Sequence, residues 1–497
     1  MQDAQNQARA AARAAQSLVS NGLGEGGLKI AGDIEIDPSL WQGADAPVES
    51  EGEDGRTVVT VGQTESKAIL SWDSFNVGRE TDLVFDQQGN ADWAVLNRVF
   101  DINPSRIEGS ITADGTVLVM NRNGVIFGGS SSVNVRNLIA ASADIANDAF
   151  LESGIYSGLA GQNYVPSFTD AGGAIKVEAG AQITTSEPES VTAGGGYVLL
   201  MGTEVVNEGT ITTPRGQALL AAGDDFIVRP GYGTESNASS TTRGNEVRGF
   251  IDEESESGTV INAGLIEASQ GDITLTGRTI HQDGVVLATT SVNQRGTIHL
   301  LNSASDELGS VTLGAHSLTT IMPELESEDT ALNSRRDALV EQSDSANARR
   351  HLDSVTGGFD NLSLLDDRLD LSRIEIVTGG NVLFKGGSQT RAQGGQVAVQ
   401  AVGIDNPADD AINGRIIVED GALIDVSGVQ GVALDMESNS IVVNIQGNEM
   451  RDSPVNREND ELRSQDVWID VRDLVLLPDG TGGYEGDRWY TAGGFLE

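Results

Sequence analysis

Two landmarks in the middle of the chain return at one fixed spacing. Asn207-Glu-Gly209-Thr-Ile211 recurs as Asn262-Ala-Gly264-Leu-Ile266, and Gly216-Gln-Ala-Leu-Leu220 recurs as Gly271-Asp-Ile-Thr-Leu275, each 55 residues on. Val177-Glu-Ala-Gly-Ala-Gln-Ile183 likewise returns as Val418-Glu-Asp-Gly-Ala-Leu-Ile424. Short aliphatic pulses cornered by Gly and Asn, with no helical segments alternating between them, predict an all-β parallel β-helix. Each turn of chain then stacks its Val, Ile and Leu on the turn below. A β-sandwich would instead show hairpin alternation without internal repeats. Asn at a repeated corner, as at Asn207 and Asn262, suits a side-chain amide ladder.

Composition agrees. The 497 residues include 61 Gly, 11 Pro and only 4% aromatics, whereas a compact core normally holds more aromatic mass. The 38% of hydrophobic residues fall in short pulses, which suits a long, thin core. A net charge of −43 repels phosphate backbones and excludes nucleic acid as a partner. Solubility or adaptation to salt explains that charge. Ca²⁺ is the sharper reading, but the tandem glycine-aspartate nonapeptide of Ca²⁺-loaded β-rolls is missing. With no cysteine there are no disulfides, thiolate nucleophiles or Cys metal sites. No run approaches the ~18 apolar residues of a membrane helix, so no membrane insertion is expected.

Residues 1–24 read as an Ala/Gln-rich leader or disordered lead, with a frayed helix over residues 2–19 and no apolar stretch of a signal peptide, so an export signal is expected upstream of Met1 or already removed. Alternation at Ile30, Ile34 and Ile36 predicts strands from Leu28 to Leu40, and an acidic loop follows from Asp45 to Gly55. Between Trp93 and Asp144, Val117-Leu118-Val119-Met120 and Val125-Ile126-Phe127 are separated by Asp114-Gly115, Asn123-Gly124 and Gly128-Gly129. Asp-Gly and Asn-Gly suit tight turns because both residues tolerate φ > 0, and the runs between them read as strands buried on one or both faces. Thr234 to Gly258 is polar and reads as an extruded loop. Glu324 to Leu352 is the one convincing helical stretch, a surface excursion. Glu449 to Gln465 is charged and irregular, and the β pattern resumes at Val467. The chain ends without a polar cap, so it is expected to be the N-terminal part of something longer, or to be covered by a partner.

No chemistry announces itself. His281, His299, His316 and His351 are scattered singly, without metal or triad spacing. Carboxylate pairs such as Asp224-Asp225 and Asp366-Asp367 are expected in so acidic a chain. Gly194-Gly-Gly196 and Gly379-Gly380 lack the context of a phosphate loop and read as corners. Tyr232, Tyr484, Trp489 and Tyr490 read as packing before sugar stacking. The expectation is no catalytic residue, no metal and no cofactor.

The block from Trp93 to Asp144 resembles the secretion domain of two-partner-secretion exoproteins of the filamentous-haemagglutinin (TpsA) type. Similar segments lie outside it, among them Asn21-Gly-Leu-Gly-Glu-Gly-Gly27, Ile69-Leu-Ser-Trp-Asp-Ser-Phe-Asn-Val77, Gly379-Gly-Asn-Val-Leu-Phe-Lys-Gly-Gly387 and Trp489-Tyr-Thr-Ala-Gly-Gly494. The resemblance implies a right-handed β-helix with an N-terminal cap, extra-helical loops or hairpins and a short helical excursion. It implies a secretion domain over residues 25–310, the excursion over 311–354 and a continuing stalk over 355–497. It also implies export from a Gram-negative cell through an Omp85-type TpsB transporter, whose periplasmic POTRA domains bind the secretion domain. The family's NPNG-type turn falls on Asn121-Arg122-Asn123-Gly124, with Arg122 where the family has proline, and an upstream Asn-Pro on Asn103-Pro104. With Asn97 and Arg98, these are the candidate recognition residues. The function expected is that of a secreted, non-enzymatic surface protein, an adhesin or biofilm-matrix component, whose host receptor or polysaccharide the sequence does not name. The other classes are a β-helical polysaccharide-degrading enzyme and the delivery arm of a contact-dependent toxin or cytolysin.

Overall fold

The computed structural model describes residues 19–160, 163–187, 195–230, 244–252, 255–291, 295–304, 306–325, 372–403 and 414–430, together with the backbone of Ser440–Asn444, Asp466–Asp470, Leu474–Pro478 and Tyr484–Thr491. The leader up to residue 18, the helical stretch expected at 324–352 apart from its first two residues, the segment 449–465 and Tyr232 lie outside these.

Three long sheets form the walls of a parallel β-helix. Sheet 1 and sheet 3 each contain 12 strands and sheet 2 contains 9. One complete rung runs from Thr116–Met120 on sheet 1 through Val125–Phe127 on sheet 2 to Ser132–Val135 on sheet 3, and Asn137–Ala141 then returns to sheet 1. Rungs pair in parallel and in strict register: Val117 lies between Val95 and Leu138, and Val119 between Asn97 and Ala140. The interior is a column of stacked Val, Ile, Leu and Phe running from Val59 to Ala392. Each fully buried aliphatic side chain contributes roughly 1.5–3 kcal/mol.

The 55-residue spacing resolves into one rung plus an insertion. Val205 pairs directly with Val260, and Leu220 with Leu275, so the two landmarks are neighbours in the stack. An uninterrupted rung is shorter, with Asn262 and Gln282 adjacent at a separation of 20 residues. Within the stretch expected as a loop, Thr234 to Gly258, the described residues Asn245–Phe250 form a strand. Asp225–Pro230 and Asn245–Phe250 form an antiparallel hairpin. This hairpin lies over the outside of sheet 1 with Phe226, Val228 and Val247 facing in.

That cover explains why Thr116–Met120 is buried along its whole length. Val117 and Val119 point into the β-helix, while Leu118 and Met120 point outward beneath a second apolar layer. The layer is completed by a helix, α1 (Asn147–Ser153), which buries Phe150 and has no counterpart in the expectations above.

The N-terminal end is closed by strands that run against the stack. Leu28–Ile30 and Trp41–Gln42 pair antiparallel with Lys67–Phe75, and Val48–Glu51 pairs antiparallel with Thr57–Gly62. The acidic segment expected as a loop thus contains a cap strand. The strand expected to continue to Leu40 ends at Ile30. Ile36 is exposed, and Asp37 caps a short 3₁₀ turn at Pro38–Leu40 by accepting from the Ser39 N–H. Trp41, Trp72 and Phe75 pack edge-to-face as a plug, with ring centroids 4.9 and 5.4 Å apart. Toward the other end, the parallel ladders extend to Leu423–Asp425. The four strands between Ser440 and Thr491 instead pair antiparallel, two by two.

The expected amide ladder is present at the corner between sheets 2 and 3. Asn207 Nδ2 donates to Asn262 Oδ1 (2.8 Å), and Asn262 Nδ2 donates to Gln282 Oε1 (2.7 Å), all three side chains being fully buried. Replacing Asn262 by Ala leaves Asn207 and Gln282 each short of a partner. Urea unfolding is expected to show a loss of about 2–4 kcal/mol, since each orphaned buried group costs ~1–3 kcal/mol.

Candidate functional site

The turn Asn121–Gly124 joins sheet 1 to sheet 2. Gly124 N–H donates to the Asn121 carbonyl (2.8 Å), closing the turn, and the Asn123 N–H donates to Asn121 Oδ1 (2.9 Å). Only Gly124 of this turn has positive φ, at 109°. Asn123 does not, nor do Asp114 or Gly115, so the tolerance for φ > 0 expected of these pairs is used here by Gly124 alone. The side chain of Asn121 reaches down one rung, where its Nδ2 donates to the Asn103 carbonyl and to Ser105 Oγ, each at 3.0 Å. Asn123 Nδ2 donates to the Asp101 carbonyl (2.8 Å), and Asp101 Oδ1 accepts from the Asn103 backbone (2.9 Å) and side chain (3.0 Å). Asn103-Pro104 and Asn121–Gly124, 18 residues apart, are thus one double corner.

The candidate residues divide by depth. Asn103, Pro104, Arg122 and Asn123 are exposed, while Asn121 and Gly124 are buried. Asn97 is fully buried inside the β-helix, accepting from Trp72 Nε1 (3.0 Å) and donating to the Leu118 carbonyl (3.0 Å). Next to it along the strand, Arg98 points to the opposite face. Its Nη2 meets Asp144 Oδ1 at 2.9 Å and also bonds the Ile145 carbonyl. Arg98 therefore pins the start of the outer cover to the rung beneath. In the folded chain Asn97 and Arg98 do not share the surface that Asn103, Pro104, Arg122 and Asn123 present.

Two residues at this corner escaped the sequence reading. Phe100 is 57% and Ile102 86% exposed, although the backbone carrying them is tied down at Asp101 and Asn103. Their alternation reads as a strand carrying on, which is why they drew no notice. On the adjoining sheet 2 corner, Arg106 bridges the wholly buried Glu108 of its own rung (2.6 Å) and Glu178 two rungs on (2.9 Å), spanning the rung between. Burial opposes its charge, yet the two carboxylates raise its pKa further above the ordinary value.

The turn's bonds run through Asn121, Asn123 and Gly124, and none uses the Arg122 N–H. Arg122 Nε makes only an exposed bond to the Asp170 carbonyl (3.2 Å). Proline at this second turn position is expected to leave the fold intact and raise stability by up to about 1 kcal/mol, through lost unfolded-state entropy. Thermal unfolding of Arg122→Pro checks this; a clear drop would mean that the Arg122 contact matters more than the turn's φ.

A family model described as the TPS secretion domain matches residues 33–320, more than half of the chain. Among curated proteins, a heme/hemopexin-binding protein of Haemophilus influenzae is 29% identical over 218 residues, covering 44% of this chain and 21% of the relative. A second Haemophilus influenzae protein of the same description is 37% identical over 87 residues, 18% of this chain and 9% of the relative. The matched region therefore spans about a fifth or less of these relatives' length. Among solved structures, the HMW1 secretion domain from Haemophilus influenzae aligns over 78% of this chain and 84% of that one, with 19% identity and a TM-score of 0.48.

Proposed function

Because the chain belongs to the TPS secretion domain family, matched over residues 33–320, we propose that it is exported through a TpsB-type outer-membrane transporter and acts outside the cell as an adhesin or matrix component. The observation that carries the export reading is the double corner. Its backbone is fixed by buried Asn121, while Asn103, Pro104, Arg122 and Asn123 face solvent beside the exposed Phe100 and Ile102. A rigid corner holding two apolar side chains in water suits recognition by another protein. The transporter's periplasmic domains are the partner in this reading, and Asn97 and Arg98 serve it by holding the scaffold. Folding rung upon rung outside the cell would draw the chain through the pore, since each rung completes its burial on the one before.

The test is secretion of residues 1–497 behind a signal peptide, with and without the cognate transporter. Transporter-dependent appearance in the medium is expected; equal amounts in both cases would end the proposal. Phe100→Ser with Ile102→Ser should lower export while leaving the thermal midpoint of the purified chain unchanged.

A second reading comes from the relatives, both described as heme/hemopexin-binding. If this chain shares that property, hemin or hemin-loaded hemopexin will bind the purified protein with a saturable change in the Soret band or in surface-plasmon response. A flat response to both removes this reading. We assign no reaction to the chain.

A further inference from the structure

Along the stack the outer face of sheet 1 changes character. As far as Ala221 the middle of its outward face is aliphatic, with Leu118, Ile139, Leu199 and Leu219 in register, and it is roofed by the hairpin and α1. From the next rung on, the outward positions are Asp272, Thr274 and Thr276, then Thr297, His299 and Leu301, then Arg373, Glu375 and Val377. Here the roof opens into a groove with a cavity of about 1210 Å³. Thr274, Thr276, Leu301 and Glu375 form its floor. One wall is the hairpin strand Asn245–Phe250, and the other is Arg278 with the chain around Asp306.

We propose that this groove is a saccharide-binding site, taking a neutral, hydroxyl-rich oligosaccharide. Both walls carry a guanidinium held against a carboxylate, Arg229 with Glu246 (2.6 Å) and Arg278 with Asp306 (2.9 Å). With Arg248 on the hairpin wall and Glu375 at the floor, the lining holds as many guanidiniums as carboxylates, so the charges offer no net attraction to an ionic ligand. They do fix planar groups rich in donors and acceptors: a guanidinium has five N–H donors, and Arg229 gives one of them to Glu246. Vicinal sugar hydroxyls need such alternating partners, and the half-buried Thr276 adds a hydroxyl at the floor, while that of Thr274 is turned to Asp272 (2.8 Å). Phe250 lies on the hairpin wall with 44% of its surface exposed, a flat apolar ring of the kind that stacks on the C–H face of a pyranose. The cavity exceeds the roughly 300–1,000 Å³ of ordinary small-ligand pockets, so an oligomer fits it better than a monosaccharide. Polyanionic glycans are disfavoured, because a chain of net charge −43 repels them at long range.

The proposal gives the adhesin reading a ligand class, and its test needs no transporter, so either can fail without the other. The purified chain is applied to an array of neutral, aminosugar, uronate and sulfated oligosaccharides, and the strongest binder is titrated calorimetrically. Binding to neutral or N-acetylated oligomers is expected, tighter for longer ones. Phe250→Ala should weaken it about tenfold, with Phe250→Tyr restoring it, as the loss of one stacking ring implies. Thr276→Val should weaken it as well, and none of the three changes should move the thermal midpoint. No glycan retained above background, retention of polyanions alone, or affinity unchanged in both Phe250→Ala and Thr276→Val would each overturn the assignment.

Discussion

Gly124→Val is expected to destabilise the chain by about 2–5 kcal/mol and to reduce its secretion, because two penalties fall on one residue. The first is conformational. Gly124 has φ of 109°, a backbone region that β-branched residues strongly avoid. The second is steric. A Cβ there would lie 2.4 Å from the Ala174 carbonyl oxygen, which belongs to the strand Ala174–Val177 of the next rung. That oxygen is backbone in the sheet 2 ladder, where Val125 pairs with Ile175, so it cannot swing aside as a side chain would. Relief requires Asn121–Gly124 to part from its neighbour, and the Asn121 bonds to Asn103 and Ser105 would part with it. Urea unfolding of Gly124→Ala and Gly124→Val measures them together: alanine already carries the Cβ and so incurs both penalties. The excess for Val reports its β-branching alone. Native stability in both would place the close approach elsewhere.

The features most legible in the sequence were those that repeat. Asn207 and Asn262 share a corner and bond each other, and the Val177 and Val418 segments both lead from sheet 2 into sheet 3. A solenoid writes one local solution many times, so a single chain carries internal evidence for it. The turn at Gly124 was legible for the same local reason. What stayed hidden was the outer layer. The hairpin strands Asp225–Pro230 and Asn245–Phe250 are separated by polar chain, and their apolar face matters only against sheet 1. One signal was available: in Val117-Leu118-Val119-Met120 every position is apolar, which a sheet with one wet face would not need. The groove beyond Ala221 depends on where that cover stops, and no local pattern records it.

His299 illustrates the same limit and carries the last expected result. In the sequence it is one histidine among four, without ligand spacing. In the fold it is fully buried on the outer face of sheet 1, with acidic groups on the two neighbouring rungs. Its Nδ1 lies 3.2 Å from Glu375 Oε2, and its Nε2 lies 3.1 Å from Asp272 Oδ2, off the line of a good hydrogen bond, so that contact is chiefly between charges. Arg373 also pairs with Glu375, at 2.8 Å. Burial alone would lower the imidazole pKa, but Asp272 and then Glu375 outweigh it and push the value up to about 9. The unfolded value is near 6.5. Because the folded pKa is the higher, the stabilisation is fully present below pH 6.5 and is lost as pH rises through 9. The shift corresponds to about 3 kcal/mol. Comparison with His299→Gln isolates this contribution from other groups titrating in alkali. At pH 6 the variant is expected to be less stable by about 3–5 kcal/mol, since the buried Asp272 loses its cation while the half-buried Glu375 keeps Arg373. Between pH 6.5 and 10 the gap should narrow as wild-type His299 loses its proton. A gap that stays constant across that range would mean that His299 is neutral in the fold and that its packing, rather than its charge, holds the three rungs together.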